Sequence, residues 1–245
     1  MDQIPAGIPK GCLRNSCPGC RGRNTDITII SDNYFFARSM IRNIIFDLGG
    51  VLLNLDVQRT LDAFRNLGMP DPESLFGVGH AAGVFKAYEK GTLDDDQFLE
   101  AVGRLTNGPV QRQQLVEAWN ALLLDFPAER IRLLEKLGKR YRLFLFSNTN
   151  GLHLEAFREI FQSTYEGKTL EGYFERAYYS HLAGCRKPDA EAYRLVLEDN
   201  SLLAGQTLFV DDALVNVEGA RAVGLQAFHV SAGRDVLDLG TIMEI

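Results

Sequence analysis

Residues 40–52 read Met40-Ile41-Arg42-Asn43-Ile44-Ile45-Phe46-Asp47-Leu48-Gly49-Gly50-Val51-Leu52. The run Ile44-Ile45-Phe46 is apolar without alternation, and its β-branched pair suits a strand buried on both faces. That strand, read over Arg42–Asp47, ends in a carboxylate and is broken by Gly49-Gly50. Similar strands are expected at Arg142–Ser147, Ala177–Ser180, Leu208–Asp211 and Gln226–Val230. Helical spacing separates them: Ile131, Leu134 and Leu137; Leu152, Ala156, Phe157 and Ile160; Ala192, Leu195 and Val196 in a helix opened by Pro188; and the segment Val215–Val223. Strands alternating with helices of this length predict an α/β fold, a Rossmann-like parallel sheet covered on both faces.

Working outward, residues 56–126 interrupt the alternation. Val57, Leu61, Phe64 and Leu67 fall on one helical face, as do Leu115, Trp119 and Leu122, with breaks at Pro70, Gly91 and Asn107-Gly108-Pro109. This stretch is expected to form a small cap of four helices inserted after the first strand, with 40–55 and 127–245 forming the core. Residues 1–39 are rich in Pro and Gly, lack periodicity, and read as a loosely ordered extension. They hold five basic and three acidic side chains, a net +2, which leaves −8 for the rest of a chain whose total is −6. Met40 stands just before the first strand as a candidate start of translation, which the intact mass of the native protein would decide. Cys12, Cys17 and Cys20 form C-x4-C-x2-C but lack the fourth ligand that a metal or cluster site normally needs.

The chain has 245 residues, 46% hydrophobic and 24% charged, which is ordinary globular composition. Its acidic balance speaks against nucleic-acid binding. No apolar run approaches the roughly 18 residues of a membrane span. With no charged start and apolar h-region to mark a signal peptide, and no disulfide framework, a cytoplasmic protein is expected. A monomer or weak dimer is the expected state. No dinucleotide fingerprint follows a strand, and Gly77-Val78-Gly79 lies in the helical cap, so no nicotinamide or flavin is expected.

In open parallel sheets, ligands bind beyond the carboxyl ends of the strands. Those ends deliver Asp47, then Ser147-Asn148-Thr149, then Asp211-Asp212, with Lys187 before the helix that follows the third strand. Three carboxylates on one edge repel one another unless a cation sits among them, and hard oxygen ligands suit Mg²⁺. A carboxylate nucleophile beside a metal, a lysine, a hydroxyl and an amide is an arrangement for phosphoryl transfer through an aspartyl-phosphate.

Four motifs occur in order: Phe46-Asp47-Leu48-Gly49-Gly50-Val51-Leu52, Phe146-Ser147-Asn148-Thr149-Asn150, Arg186-Lys187-Pro188-Asp189, and Phe209-Val210-Asp211-Asp212 with Asn216-Val217-Glu218-Gly219-Ala220. Together they resemble the haloacid dehalogenase-like hydrolase superfamily over about residues 41–230. Asp47-Leu48-Gly49, Ser147-Asn148-Thr149-Asn150 followed by His153, and Tyr88-Glu89-Lys90-Gly91 in the cap resemble its α-D-glucose-1-phosphate phosphatase branch. The resemblance implies a Mg²⁺-dependent phosphatase of a small phosphorylated metabolite, a sugar phosphate such as a sugar 1-phosphate. It implies Asp47 as nucleophile and metal ligand, with the Gly49 carbonyl, Asp211 and Asp212 as further metal positions. Ser147, Asn148 and Lys187 become the phosphate clamp, with Lys187 also catalytic, and Asn216 orients an acid from behind.

Gly49 departs from the pattern, because most phosphatases of the superfamily carry an Asp there that protonates the leaving oxygen and activates water. General acid help is typically worth about 10²–10⁴-fold. An anomeric or acyl phosphate needs least of that help. The alternative is a catalytically weak relative that binds a phosphorylated ligand or a protein partner. Dehalogenation by the same nucleophile needs no metal, so the pair Asp211-Asp212 argues against it.

His80 and Tyr88 in the cap are candidates for selecting the substrate, with packing as the plain alternative. Trp119 is expected in the cap core, and Asp94-Asp95-Asp96 at a helix N-terminus. His181 and His229 are expected to be structural, and Cys185 receives no role.

Overall fold

The computed structural model describes residues 40–76 and 80–245. Residues 1–39, with Cys12, Cys17 and Cys20, lie outside the described residues, as do Gly77-Val78-Gly79 and the side chain of His80.

Five strands, β1 (Asn43–Phe46), β2 (Arg142–Ser147), β3 (Arg176–Tyr179), β4 (Thr207–Asp211) and β5 (Gln226–His229), form one sheet in the order β3-β2-β1-β4-β5. Every pairing is parallel. The chain therefore leaves β1 toward one edge, through β2 to β3, and returns to build β4 and β5 on the other side. The reversal at β1 opens a crevice at the carboxyl ends of β1 and β4. Register places the chemistry there. Phe46 pairs with Val210, so Asp47 and Asp211 follow at the same level.

Alternate strand residues bury into two layers. Ile44, Phe46, Leu145 and Val210 pack with Leu134 of α5 (Ala128–Leu137) and Phe157 of α6 (Gly151–Thr164). Ile45, Phe146 and Phe209 pack with Tyr193 of α8 (Ala190–Asp199) and Val217 of α9 (Leu214–Ala222). This is why the strands read as continuous apolar runs.

Between β1 and α5 the chain forms α1 (Val57–Asn66), α2 (His80–Glu89), α3 (Asp95–Gly103) and α4 (Arg112–Asn120). Phe64, Leu75, Phe98, Leu115 and Trp119 make their shared core, which takes in Leu152 from α6. The chain enters and leaves this layer as a paired ribbon. Asn54 N–H donates to Asp125 O and Leu124 N–H to Asn54 O, at 2.9 and 3.0 Å.

Several expectations are corrected. Val57 is 44% exposed, and Thr60 turns inward instead. Its hydroxyl donates to Trp119 O at 3.2 Å and accepts from Leu122 N–H at 3.0 Å. Pro188 precedes the helix instead of opening it, because Asp189 occupies the N-cap of α8. Two short helices, α7 (Ser180–Ala183) and α10 (Asp238–Ile242), are legible in the structure alone. Asp94 does cap α3, through a capping box with Gln97.

Candidate active site

The centre of the crevice is a buried ammonium. Lys187 is 1% exposed, and its Nζ donates to Asp47 Oδ1 and Asp211 Oδ2 at 2.7 Å each. It arrives on the loop between α7 and α8, and Asn148 fixes that loop. Asn148 Nδ2 donates to Lys187 O at 2.9 Å, and Lys187 N–H donates to Asn148 Oδ1 at 3.0 Å. Asn148 is thus engaged with the lysine's main chain, so the expectation that its side chain clamps an anion gives way to one of support.

Asp211 is held from three directions. Besides Lys187, it accepts from Ala213 N–H at 2.9 Å and from Asn216 Nδ2 at 3.0 and 3.2 Å. Asn216 is in turn fixed by Tyr193, whose hydroxyl donates to the Asn216 carbonyl at 2.7 Å. Asp212 lies on the exposed side, and His229 Nε2 donates to its carbonyl at 3.0 Å. Ser147 closes β2 and is buried. The next strand end is tied in by Ser180, whose hydroxyl accepts from Thr149 N–H at 2.9 Å and donates to Thr149 O at 3.0 Å.

One ammonium does not balance three carboxylates. Burial pushes Asp47 up to about 7, with Lys187 pulling the other way and Asp211 and Asp212 adding to the rise. Burial and the neighbouring Asp211 likewise hold Asp212 up. Burial alone would lower the Lys187 pKa, but the Asp211 and Asp47 charges raise it above the ordinary value. Asp47, Asp211 and Asp212 each offer an oxygen, all within 4.8 Å of one another. The space between Gly50 and Asp212 is shaped by the lack of a side chain, since an added Cβ there would lie 2.2 Å from Asp212 Oδ2. An excess of negative charge on hard oxygens in this cradle fits a divalent cation such as Mg²⁺.

The cap meets the core beside this centre, and Tyr88 belongs to that joint. Tyr88 is buried; its hydroxyl donates to Asp95 Oδ1 at 2.5 Å and accepts from Leu152 N–H at 3.1 Å, and its ring stacks on Phe98. Packing therefore accounts for the side chain offered as a substrate selector. Trp119 also reaches across, donating from Nε1 to Asn150 Oδ1 at 3.2 Å and stacking on His153 with ring centres 4.8 Å apart. His153 Nδ1 donates to Asn120 Oδ1 at 2.8 Å. A cavity of about 540 Å³ between the layers is lined by Tyr88, Asp95, Arg112, Gly151 and His181 among others.

The ties from Tyr193, Ser180 and His229 were not read from the sequence, because each joins segments far apart in the chain. The one available signal was that His229 and Ser180 follow or end strands, where the edge chemistry gathers.

Comparison with known proteins agrees with this architecture. D-ribitol-5-phosphate phosphatase of Bacteroides thetaiotaomicron is 31% identical over 197 residues, 80% of this chain and 95% of that protein. A sesquiterpene phosphatase of Aspergillus oryzae is 28% identical over 203 residues, 82% of this chain and 93% of that one. The solved structure of a haloacid dehalogenase family enzyme of Bacteroides thetaiotaomicron, in complex with magnesium and inorganic phosphate, superposes with a TM-score of 0.73 at 33% identity, covering 80% of this chain and 96% of that one. Residues 41–224 match the haloacid dehalogenase-like hydrolase family, and the chain belongs to it.

Proposed function

We propose that the protein is a Mg²⁺-dependent phosphatase of a small phosphorylated metabolite, a sugar or sugar-alcohol phosphate. The observation that carries this reading is the Lys187 ammonium bridging Asp47 and Asp211 at 2.7 Å, with Asp212 completing a three-carboxylate cluster. The names of the relatives support it, since one acts on ribitol 5-phosphate and a solved one holds magnesium and phosphate.

Asp47, Asp211, Asp212 and the Gly49 carbonyl are the groups that would hold Mg²⁺. When bound, the ion neutralises charge on the phosphoryl oxygens. Lys187 engages Asp47 Oδ1 and leaves Oδ2 to attack phosphorus. The bond to the leaving oxygen breaks, that oxygen takes a proton from solvent, and a phosphoaspartate remains. Lys187 and the Ser147 hydroxyl carry the phosphoryl charge in both steps. Water then attacks phosphorus, losing a proton, and the Asp47 carboxylate departs. Gly49 supplies neither proton transfer, so good leaving groups such as an anomeric oxygen should react fastest.

The test is phosphate release from ribitol 5-phosphate, α-glucose 1-phosphate and glucose 6-phosphate, each with Mg²⁺ or EDTA. Turnover that needs Mg²⁺ and vanishes in Asp47→Asn supports the reading. No turnover on any of them, together with Mg²⁺-dependent binding of these esters, would replace it with the binding-protein alternative that Gly49 favours.

A further inference from the structure

The phosphatase reading makes no use of the buried carboxylate at the end of α2. Glu89 is 5% exposed, and its Oε2 lies 2.8 Å from an Arg186 guanidinium nitrogen, without the alignment of a hydrogen bond. Arg186 immediately precedes Lys187. The next cap residue, Lys90, donates to Asp189 Oδ2 at 2.8 Å, two positions beyond Lys187. Gly91 then packs against the core so closely that an added Cβ would lie 2.1 Å from the His181 carbonyl oxygen. One cap tripeptide therefore grips the lysine loop on both sides of Lys187.

We propose that Glu89, through Arg186, is a positioning residue for Lys187, so that docking of the cap sets the lysine between Asp47 and Asp211. The inference rests on the phosphatase reading for its effect on rate. Asn148 holds the loop from the core, through both main-chain groups of Lys187. That leaves Arg186 and Asp189 to be placed from the cap. The two ion pairs are unequal. Lys90 and Asp189 are 41% and 49% exposed, and such pairs contribute little. The side chains of Glu89 and Arg186 are 7% and 20% exposed, and removing one partner leaves a charge that the fold has taken out of water. The field of Lys187 itself reaches Glu89 and opposes the effect of its burial. The buried pair is thus the contact whose loss would shift the loop. A shift of an ångström or less in an oriented group is enough to slow a reaction strongly.

The experiment compares wild type, Glu89→Gln, Arg186→Gln and the double variant, with Lys90→Met as the exposed-pair comparison. Steady-state kinetics are read with Mg²⁺ saturating, and hydrogen exchange of the peptide holding residues 185–189 is read without substrate. The expected result is a kcat lowered about tenfold or more in each buried-pair variant, with KM within about twofold. The double variant falls no further than either single one, Lys90→Met stays within about twofold, and exchange at residues 187 and 189 quickens in the buried-pair variants. A merely structural pair would lower Tm and leave kcat of the folded protein unchanged, which overturns the proposal. A rise in KM alone also overturns it, because Glu89 would then touch substrate. If Glu89→Gln does not fold, Arg186→Gln reads the same contact from the core. If wild type itself turns over none of the esters, the phosphatase reading fails, and the clamp stands or falls on the exchange result.

Discussion

Two adjacent glycines in the first turn of the site do opposite things. Gly50 has φ of +71°, and a Cβ there would meet a carboxylate, Asp212 Oδ2, at 2.2 Å. Gly50→Ala therefore combines about 1–2 kcal/mol of left-handed strain with displacement of an oxygen proposed to hold Mg²⁺. Titration calorimetry should show Mg²⁺ affinity falling about 10–100-fold, the range seen when a group that positions a ligand is lost. Unchanged affinity would remove Asp212 from the ion site. Gly49 has ordinary backbone, and its added Cβ would meet only the end of a flexible side chain, Leu55 Cδ1, at 2.6 Å. Leu55 is partly exposed and has solvent to move into. Gly49→Asp should therefore fold, and by supplying an acid it should raise turnover of an ordinary alkyl phosphate relative to an anomeric one, within the 10²–10⁴-fold range of such help. An unchanged ratio between the two substrates would show that proton transfer is not what Gly49 gives up.

At the scale of elements, the joint between α4 and α6 is built on a histidine kept neutral. Burial lowers the His153 pKa from 6.5 to about 3, and the ring lies flat on Trp119. An unfolded chain binds this proton below about pH 6.5, whereas the folded one does not until about pH 3. Stability from this group is thus complete above pH 6.5 and is lost as pH falls toward 3, with a limiting slope of about 1.4 kcal/mol per pH unit. Measured as the difference in unfolding free energy between wild type and His153→Gln, that slope should be present in this window and absent above it. A difference independent of pH would mean that the ring is charged or solvated in the folded protein. Elements also show where sequence reading succeeds. The strands were legible because parallel strands buried on both faces cannot be anything but apolar, and each strand-end acid follows from that run. The face of α1 was misread because its orientation is set by the paired ribbon at 54–56 and 122–125, which no helical period encodes. Asn148 and Glu89 were opaque for a related reason. Their partners, Lys187 and Arg186, lie 39 and 97 residues away, and only the closed sheet and docked cap bring them together.

For the whole molecule, the site and the joint oppose each other in pH. In the metal-free protein burial holds Asp47 at about 7 against an ordinary 3.8, so the folded state binds that proton more tightly than the unfolded chain does. The stability this gives is present below pH 3.8 and is lost as pH rises through 7, the reverse of the His153 contribution between 3 and 6.5. Across the overlap, from about 4 to 6.5, these two contributions have opposite slopes and offset each other, so in EDTA the unfolding free energy of His153→Gln should fall more steeply with rising pH than that of wild type. Saturating Mg²⁺ changes the balance, because an ion among Asp47, Asp211 and Asp212 favours the ionised carboxylate and displaces the proton. The added stability follows RT ln(1 + [L]/Kd), about 2.7 kcal/mol at a hundredfold excess over Kd, and is felt only where Asp47 can ionise. The gain on adding Mg²⁺ should therefore be small near pH 5 and grow through pH 7, with apparent log K rising by up to about one per pH unit and proton release measurable in unbuffered titration. Asp212→Asn should abolish the gain, since it removes one of the oxygens proposed to hold the ion without touching the Lys187–Asp47 contact, and in EDTA it should lower the Asp47 pKa, because the Asp212 charge adds to that rise. A Mg²⁺ gain that is already full at pH 5 would mean that Asp47 is ionised in the metal-free fold, with the single ammonium of Lys187 sufficient to hold both buried carboxylates.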